Sequence, residues 1–375
     1  MVEKSKTYLV ITPFFPSNKS FVGTYIFDQL NELRKQSNFN IEIVKVVSLF
    51  SDEKDYFFKD FSVRIFKTID FPFFIFPGVF NWINKIRFSS FLKQRKIENI
   101  KISHSHVSYP SAYLVQDLEC KKMIQHHGLD VLQLMNGRNQ FLRNIQRRSL
   151  IRNTIKHLNH ADINIGVSAL VLQQLRNYKT YKPKKEFILY NGVDTSKFFK
   201  KETAKNDVFT IGCVANFWKI KDQITLIRSV QKILEDGQKI KLRLIGSGAT
   251  LGFCKRYVFE NKLSGDIFFE SEMPHEKLND FYNEIDLFVL PSYYEALGCV
   301  YLEAWATDTP FMAITGQGIS ELIPISERKN LLVDKRSPIS LKDKILGECQ
   351  KNRSYPFDEK YNISNTIKDL LVNAL

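Results

Sequence analysis

Residues 289–310 read VLPSYYEALGCVYLEAWATDTP. A short apolar strand ends at Leu290, Pro291 and Ser292 turn the chain, and a helix is expected to begin near Ala296–Leu297. Glu295 then stands at the mouth of that helix, where unpaired backbone N–H groups and the macrodipole favour an anion. Glu303 lies two turns further in, among Val300, Tyr301, Leu302, Ala304, Trp305 and Ala306. A carboxylate on so apolar a helix costs several kcal/mol unless groups donate hydrogen bonds to it. The hydroxyls of a ribose or a hexose are suitable donors. The alternative, a solvated helix with two incidental acids, sits badly with its Trp and Leu neighbours.

The same strand–turn–helix rhythm runs outward in both directions. Expected strands are 7–11, 41–47, 101–106, 122–126, 163–167 and 186–189. After the charged stretch 200–207 they resume at 209–214, 242–245, 267–270, 287–290, 310–314 and 331–333. Helical patterns lie between them, among them 222–235, 276–283 and 297–306. Alternation of this kind predicts an α/β chain of two Rossmann-like domains whose parallel sheets face each other across a cleft. The expected division is 1–195 and 196–355, with 356–375 a helix returning to the first domain. Ligands of open parallel sheets bind beyond the carboxyl ends of strands, so the loops after these strands are the candidate sites.

The 375 residues suffice for two domains of ordinary size. Five scattered cysteines, with no C-x-x-C pair, predict reduced thiols in a cytoplasmic protein. The start, MVEKSKTYLVITPFF, lacks the layout of a signal peptide, and the most apolar run, 71–83, is short and broken by Pro72 and Pro77. The charge is lopsided. Residues 1–200 carry 31 Lys and Arg against 16 Asp and Glu, whereas the remainder carries 23 against 24. Such asymmetry predicts an anionic partner on the first half: membrane lipid, acidic glycan, lipid diphosphate or nucleic acid. Residues 56–91 hold eleven Phe, one Tyr and one Trp amid Lys59, Arg64, Lys67, Lys85 and Arg87. That mixture suits either a peripheral contact with an anionic membrane or a phenylalanine-rich core.

Other segments stand at strand ends. They are Val167-Ser168, the run Tyr190-Asn191-Gly192-Val193-Asp194 followed by Phe198, Leu244-Ile245-Gly246-Ser247-Gly248, and Gly316-Gln317-Gly318 with Glu321. Taken in this order with the Glu295 segment, they resemble the retaining glycosyltransferases of family four, which have the GT-B fold, over roughly residues 7–334. The resemblance implies that Glu295 touches the donor sugar and Glu303 the nucleotide ribose. Backbone amides of Ala296, Leu297, Gly298 and Cys299 would hold the diphosphate, and the turn at Gly246 and Gly248 would let backbone approach the nucleotide. His127, in His126-His127-Gly128-Leu129-Asp130, matches a His-Gly-x-Asp sequence that sets a histidine beside the sugar, although His126 competes for the role.

Two places depart from the family pattern. The loop 13–23 keeps one glycine, Gly23, where relatives often carry a pair near the diphosphate. In VANFWKIKD, 214–222, Lys221 fits the phosphate-clamp lysine, but Asn216 replaces the usual arginine and Lys219 is a second candidate cation. A lysine binds phosphate as a point charge and lacks the bidentate fork. No D-x-D tripeptide or ligand cluster with metal spacing appears, so neither a metal nor another cofactor is expected. The resemblance thus implies transfer of a hexosyl unit from a nucleoside diphosphate sugar, UDP-linked as is commonest in the family, to a hydroxyl of a glycan or lipid-linked acceptor. A nucleotide-sugar 2-epimerase would share the fold but need no acceptor. A basic nucleic-acid-binding module would show recognition motifs that are absent here, so no nucleic acid is expected.

Overall fold

The structure is a computed structural model and describes residues 6–18, 20–69, 80–128, 141–202, 207–350 and 356–374. The chain divides into two compact units, residues 1–190 with 366–375, and residues 191–365.

The first unit is built on an eight-stranded sheet. Its strands are β1 (Thr7–Thr12), β2 (Asn40–Ser48), β3 (Tyr56–Phe58), β4 (Phe61–Thr68), β5 (Ile100–His106), β6 (Lys121–His126), β7 (Ile163–Gly166) and β8 (Glu186–Ile188). They lie in the order β3-β4-β2-β1-β5-β6-β7-β8, parallel except where β3 turns back antiparallel on β4. β1 is buried along its whole length, which accounts for the continuous run Tyr8–Ile11 between two buried threonines in place of an alternating pattern.

The second unit holds six parallel strands: β9 (Thr210–Val214), β10 (Lys241–Ile245), β11 (Ile267–Glu270), β12 (Leu287–Leu290), β13 (Phe311–Ile314) and β14 (Leu332–Val333). Their order is β11-β10-β9-β12-β13-β14. Strand order therefore reverses between β9 and β12, and in a doubly wound sheet that switch point is where ligand crevices form. The two-domain α/β reading of the sequence holds, with every expected strand present within a residue or two.

Three expectations are corrected. The hairpin β3–β4 was not expected, and it takes part of the Phe-rich segment into the core. Phe61, Phe66 and Phe88 are buried, with Phe66 and Phe88 edge to face at 5.0 Å, while Phe57, Trp82 and Ile86 face outward. Several cations of that segment are engaged within the protein: Arg64 pairs with Glu42 at 3.1 Å, Lys85 with Asp117 at 2.6 Å, and Arg87 donates to the Lys67 carbonyl at 2.9 Å. Residues 70–79 of the segment lie outside the described residues. The helix after β12 begins at Cys299, not near Ala296–Leu297, because Gly298 takes a left-handed φ of 84° and keeps the preceding loop out of the helix. The closing segment is no single helix over 356–375. A 3₁₀ turn, Glu359–Tyr361, precedes the helix Ile363–Ala374. Residues up to 365 stay with the second unit, where the Trp305 indole donates to the Pro356 carbonyl at 3.1 Å and Val193 donates to the Tyr361 carbonyl at 3.0 Å. Among the described residues no helix is long and apolar enough to cross a membrane.

Candidate active site

The loops that leave β9 and β12 meet at the switch point of the second sheet. After β9 the chain runs through Asn216 into a 3₁₀ turn, Lys219–Lys221, closed by Asp222 in the left-handed region at φ 52°. The turn is anchored by the Tyr293 N–H, which donates to the Ile220 carbonyl at 3.1 Å, and by the Gln223 amide on the Asn216 carbonyl at 3.1 Å. This places the Lys221 ammonium 2.5 Å from the Glu295 carboxylate. Glu295 is 9 % exposed, so the pair is largely withdrawn from water and is screened less than a surface ion pair. Lys219 and the Asn216 side chain face solvent.

The Glu295 loop is held from behind by residues 317 and 318. The Gln317 side chain accepts the Glu295 N–H and donates to the Tyr293 carbonyl at 3.1 Å, and the Gly318 N–H donates to the Glu295 carbonyl at 3.1 Å. A Cβ on residue 318 would fall 1.7 Å from the Ala296 carbonyl oxygen, so only glycine allows this approach. From below, the buried Tyr301 hydroxyl donates to the Leu290 carbonyl at 2.9 Å and fastens the helix Cys299–Ala306 to the strand end. Among the described residues no acceptor takes the N–H groups of Ala296, Leu297, Gly298 or Val300. Unpaired donors at a helix start, beside a lysine, form a site for an anion. Cys299 opens the helix and receives the Asn191 side-chain amide on its sulfur at 3.3 Å, which ties the Asn191-Gly192 segment to the same corner.

Glu303 is 6 % exposed, and protein groups meet the need that its apolar surroundings create. The Tyr282 hydroxyl donates to Oε2 at 2.8 Å, and His275 Nε2 lies 3.1 Å from Oε1. The donors that the carboxylate needs thus come in part from the protein itself. Two bonds leave lone pairs on a carboxylate that can accept more, so a bound hydroxyl is still accommodated. Burial first, and the Glu303 charge second, hold the Tyr282 phenol well above its ordinary value, which keeps it a donor. Phe198, the aromatic residue that follows the Asn191–Asp194 run, packs its ring 4.9 Å from His275 and 6.1 Å from Tyr282. His275 and Tyr282 escaped the sequence reading, although His275 stands in the loop after β11 where a strand-end search would find it.

Gly246 and Gly248 follow β10 with φ 140° and 141°. Their missing side chains accommodate protein backbone: a Cβ on residue 246 would lie 2.2 Å from the Ala215 oxygen, and one on residue 248 would lie 2.7 Å from the Phe217 oxygen. The Phe217 N–H donates to the Ser247 carbonyl at 2.6 Å and completes the clasp. The glycine turn therefore sets the path of the loop that carries Asn216 and Lys221.

The remaining expected residues belong to the first unit. Gly23 begins the helix Thr24–Gln36 at φ 92°, where a Cβ would meet the Phe14 carbonyl at 2.8 Å. Two residues on, the Tyr25 ring lies 4.8 Å from the His127 ring. His126 is fully buried with Nε2 3.2 Å from Asn164 Oδ1, whereas His127 is half-buried. His126 thus serves the core. His127 Nε2 sits 3.0 Å from Nδ1 of His106, and the two rings stack at 5.2 Å. Asp130 lies outside the described residues.

Two family descriptions match this chain: Glycosyltransferase Family 4 over residues 22–197 and Glycosyl transferases group 1 over residues 194–353. The putative glycosyltransferase EpsF of Bacillus subtilis is 28% identical over 146 residues, 36% of this chain and 37% of that protein. The capsular polysaccharide biosynthesis glycosyltransferase CapM of Staphylococcus aureus is 29% identical over 148 residues, 37% of this chain and 36% of that protein. The chain thus spans under two-fifths of the length of these curated relatives. Among solved structures, sucrose-phosphate synthase from Thermosynechococcus elongatus superposes with a TM-score of 0.72 at 18% identity, covering 98% of this chain and 94% of its own. Anabaena HepE, in complex with UDP and glucose, gives 0.67 at 13% identity, covering 97% and 94%. With the two descriptions running on from one another across residues 22–353 and both sheets in place, the chain belongs to the GT-B glycosyltransferases of the family-four type.

Proposed function

We propose that this protein transfers a hexosyl unit from a nucleoside diphosphate sugar, UDP-linked, to a hydroxyl of a glycan or lipid-linked acceptor, with retention of anomeric configuration. The observation that carries the proposal is the corner at the β9–β12 switch point, where Lys221, Glu295 and the unpaired N–H groups of Ala296, Leu297, Gly298 and Val300 converge. A diphosphate there meets a cation and several donors at once. Lys221 exchanges its bond to Glu295 for one to the phosphate, and Glu295 is released to accept from sugar hydroxyls. Glu303, fixed by Tyr282 and His275, accepts from the ribose. As the glycosidic bond breaks, negative charge grows on the departing phosphate, and prepositioned donors stabilise it. The same phosphate oxygen takes the proton of the acceptor hydroxyl, which attacks from the face the phosphate leaves. Lys221 and the amides supply the charge stabilisation, so the reaction needs no added divalent ion.

The excess positive charge of residues 1–200 suits an anionic acceptor. The name of the capsular relative supports a role for this protein in polysaccharide assembly, carried out in the cytoplasm. The test is a melting-temperature screen against nucleoside diphosphates and their sugars, followed by a release assay for the diphosphate with glycan and lipid-linked acceptors, with and without EDTA. Stabilisation by UDP at about 100 times Kd should reach about 2.7 kcal/mol. No stabilisation by any nucleotide would remove the proposal, and activity lost to EDTA would remove its metal-free part.

A further inference from the structure

His104 and His106 project from the same face of β5, and three imidazoles stack in a row: His104 on His106 at 4.4 Å and 29°, His106 on His127 at 5.2 Å and 12°. His104 and His106 are wholly buried, and His127 is half-buried. His106 has two ring nitrogens in different situations. Nδ1 lies 3.0 Å from His127 Nε2, while Nε2 is buried and has no partner among the described residues. Burial, reinforced by the neighbouring His104 and His127, holds His106 well below the ordinary imidazole range, so it is neutral and carries one ring proton.

A proton on His106 Nε2 would be a buried N–H without an acceptor. On Nδ1 it is bonded, and only a lone pair is left unmatched, which is the less costly deficit. His106 therefore donates from Nδ1, and His127 Nε2 must be the accepting, unprotonated nitrogen. We infer that His106 is a positioning residue that locks His127 in the tautomer protonated on Nδ1, so that His127 presents an N–H donor from that nitrogen. The stack sets the plane of the ring, and the hydrogen bond sets its proton. Neither feature is used by the charge-stabilising corner described above. The catalytic meaning of this arrangement rests on the proposed transfer reaction, in which a fixed donor from His127 would hold a sugar hydroxyl. The tautomer itself is a property of the free protein.

The experiment labels the protein with ¹⁵N-histidine and records long-range ¹H–¹⁵N correlations without substrate at about pH 8, above the ordinary imidazole value near 6.5. His127→Gln identifies the His127 signals. The expected result is His127 Nδ1 at the protonated, upfield position and Nε2 at the unprotonated, downfield one. Replacing His106 by Leu should abolish that preference, and His106→Asn, which keeps an N–H near the position of Nδ1, should restore it. Donor turnover should fall about tenfold in His106→Leu and recover in His106→Asn. A wild-type His127 protonated on Nε2, or a Nδ1–H tautomer that persists in His106→Leu, overturns the inference whatever the turnover. The Nδ1–H tautomer in wild type and His106→Asn, lost in His106→Leu, with unchanged turnover would leave the lock standing and count against the role of His127 in transfer.

Discussion

Replacing Lys221 by Ala separates the two roles that its position allows. In the free protein its ammonium lies 2.5 Å from a Glu295 carboxylate whose side chain is 11% exposed. A hydrogen bond between charged groups is worth about 1.5–3 kcal/mol. Lys221 is itself a quarter exposed, which lowers the figure for this pair to roughly 1–2 kcal/mol. For the unit that carries the pair, residues 191–365, that corresponds to a fall in melting temperature of about 2–8 °C. The ligand-bound state loses a different contact, the one between the ammonium and the diphosphate. Because Lys221 gives up Glu295 to make it, the net loss in binding is smaller than the gross bond. At about 1.4–2.8 kcal/mol the expected decrease is ten- to a hundredfold in kcat/KM for the donor. The assays are a thermal melt, calorimetric titration with nucleoside diphosphate, and steady-state turnover with the variant beside the wild type. If the melt shifts while affinity for the diphosphate and kcat/KM stay within about twofold, Lys221 only neutralises Glu295 and the corner is not a phosphate site. Loss of affinity with little change in the melt would place the whole effect on ligand binding.

Tyr282→Phe removes the hydroxyl that donates to Glu303 at 2.8 Å without changing shape, and leaves a buried carboxylate short of a donor. It should destabilise the protein by about 1.5–3 kcal/mol in urea unfolding and raise the donor KM, and an unchanged midpoint would refute the account of Glu303. Gly246→Ala drives a Cβ to 2.2 Å from the Ala215 oxygen at a φ of 140°, so the clasp must open. The expected outcome is a melt lowered by more than about 5 °C together with weaker nucleotide binding, because the displaced loop carries Lys221. Acid should weaken the first unit through His104. Burial, then the proximity of His127, lowers that imidazole to about 3, beneath its unfolded value near 6.5. The unfolded chain therefore takes up the proton first as pH falls. The stability that His104 contributes is intact above about pH 6.5 and is lost as pH drops toward 3, with a slope approaching 1.4 kcal/mol per pH unit. Urea midpoints between about pH 7 and 4.5 would show it, and His104→Phe should make the profile less steep, leaving the share of the buried His106.

Much of the fold was open to reading from residue order alone. A strand buried on both faces carries a near-continuous apolar run, as in LFVL of β12 and the central YLVI of β1, and helices must alternate with such strands to cover them. β3 and β4 are hard to read from sequence because their phenylalanines interrupt a segment rich in lysine and arginine, and in β4 the alternation is clean only from Phe61 to Ile65, with Ser62 and Arg64 on one face and Phe61, Val63 and Ile65 on the other, before Phe66 and Lys67 break it. Nothing in Ala296-Leu297 marks the positive φ that Gly298 adopts, so the sequence pattern places the helix start ahead of its true position at Cys299.

The candidate site divides along the same line. The spacing of Glu295 and Glu303, the strand-end glycines and the position of Lys221 are local features, so the chain displays them directly. Partnerships are different. Lys221 and Glu295 are 74 residues apart, Glu303 and His275 are 28 apart, and His106 and His127 are 21 apart. The first and last of these pairs exist because β9 lies beside β12 and β5 beside β6, an adjacency that hydrogen bonding between strands enforces. Which of two adjacent histidines is buried against Asn164 and which turns toward Tyr25 follows from the pleat and the end of β6, where a shift of one residue exchanges the two faces of the sheet.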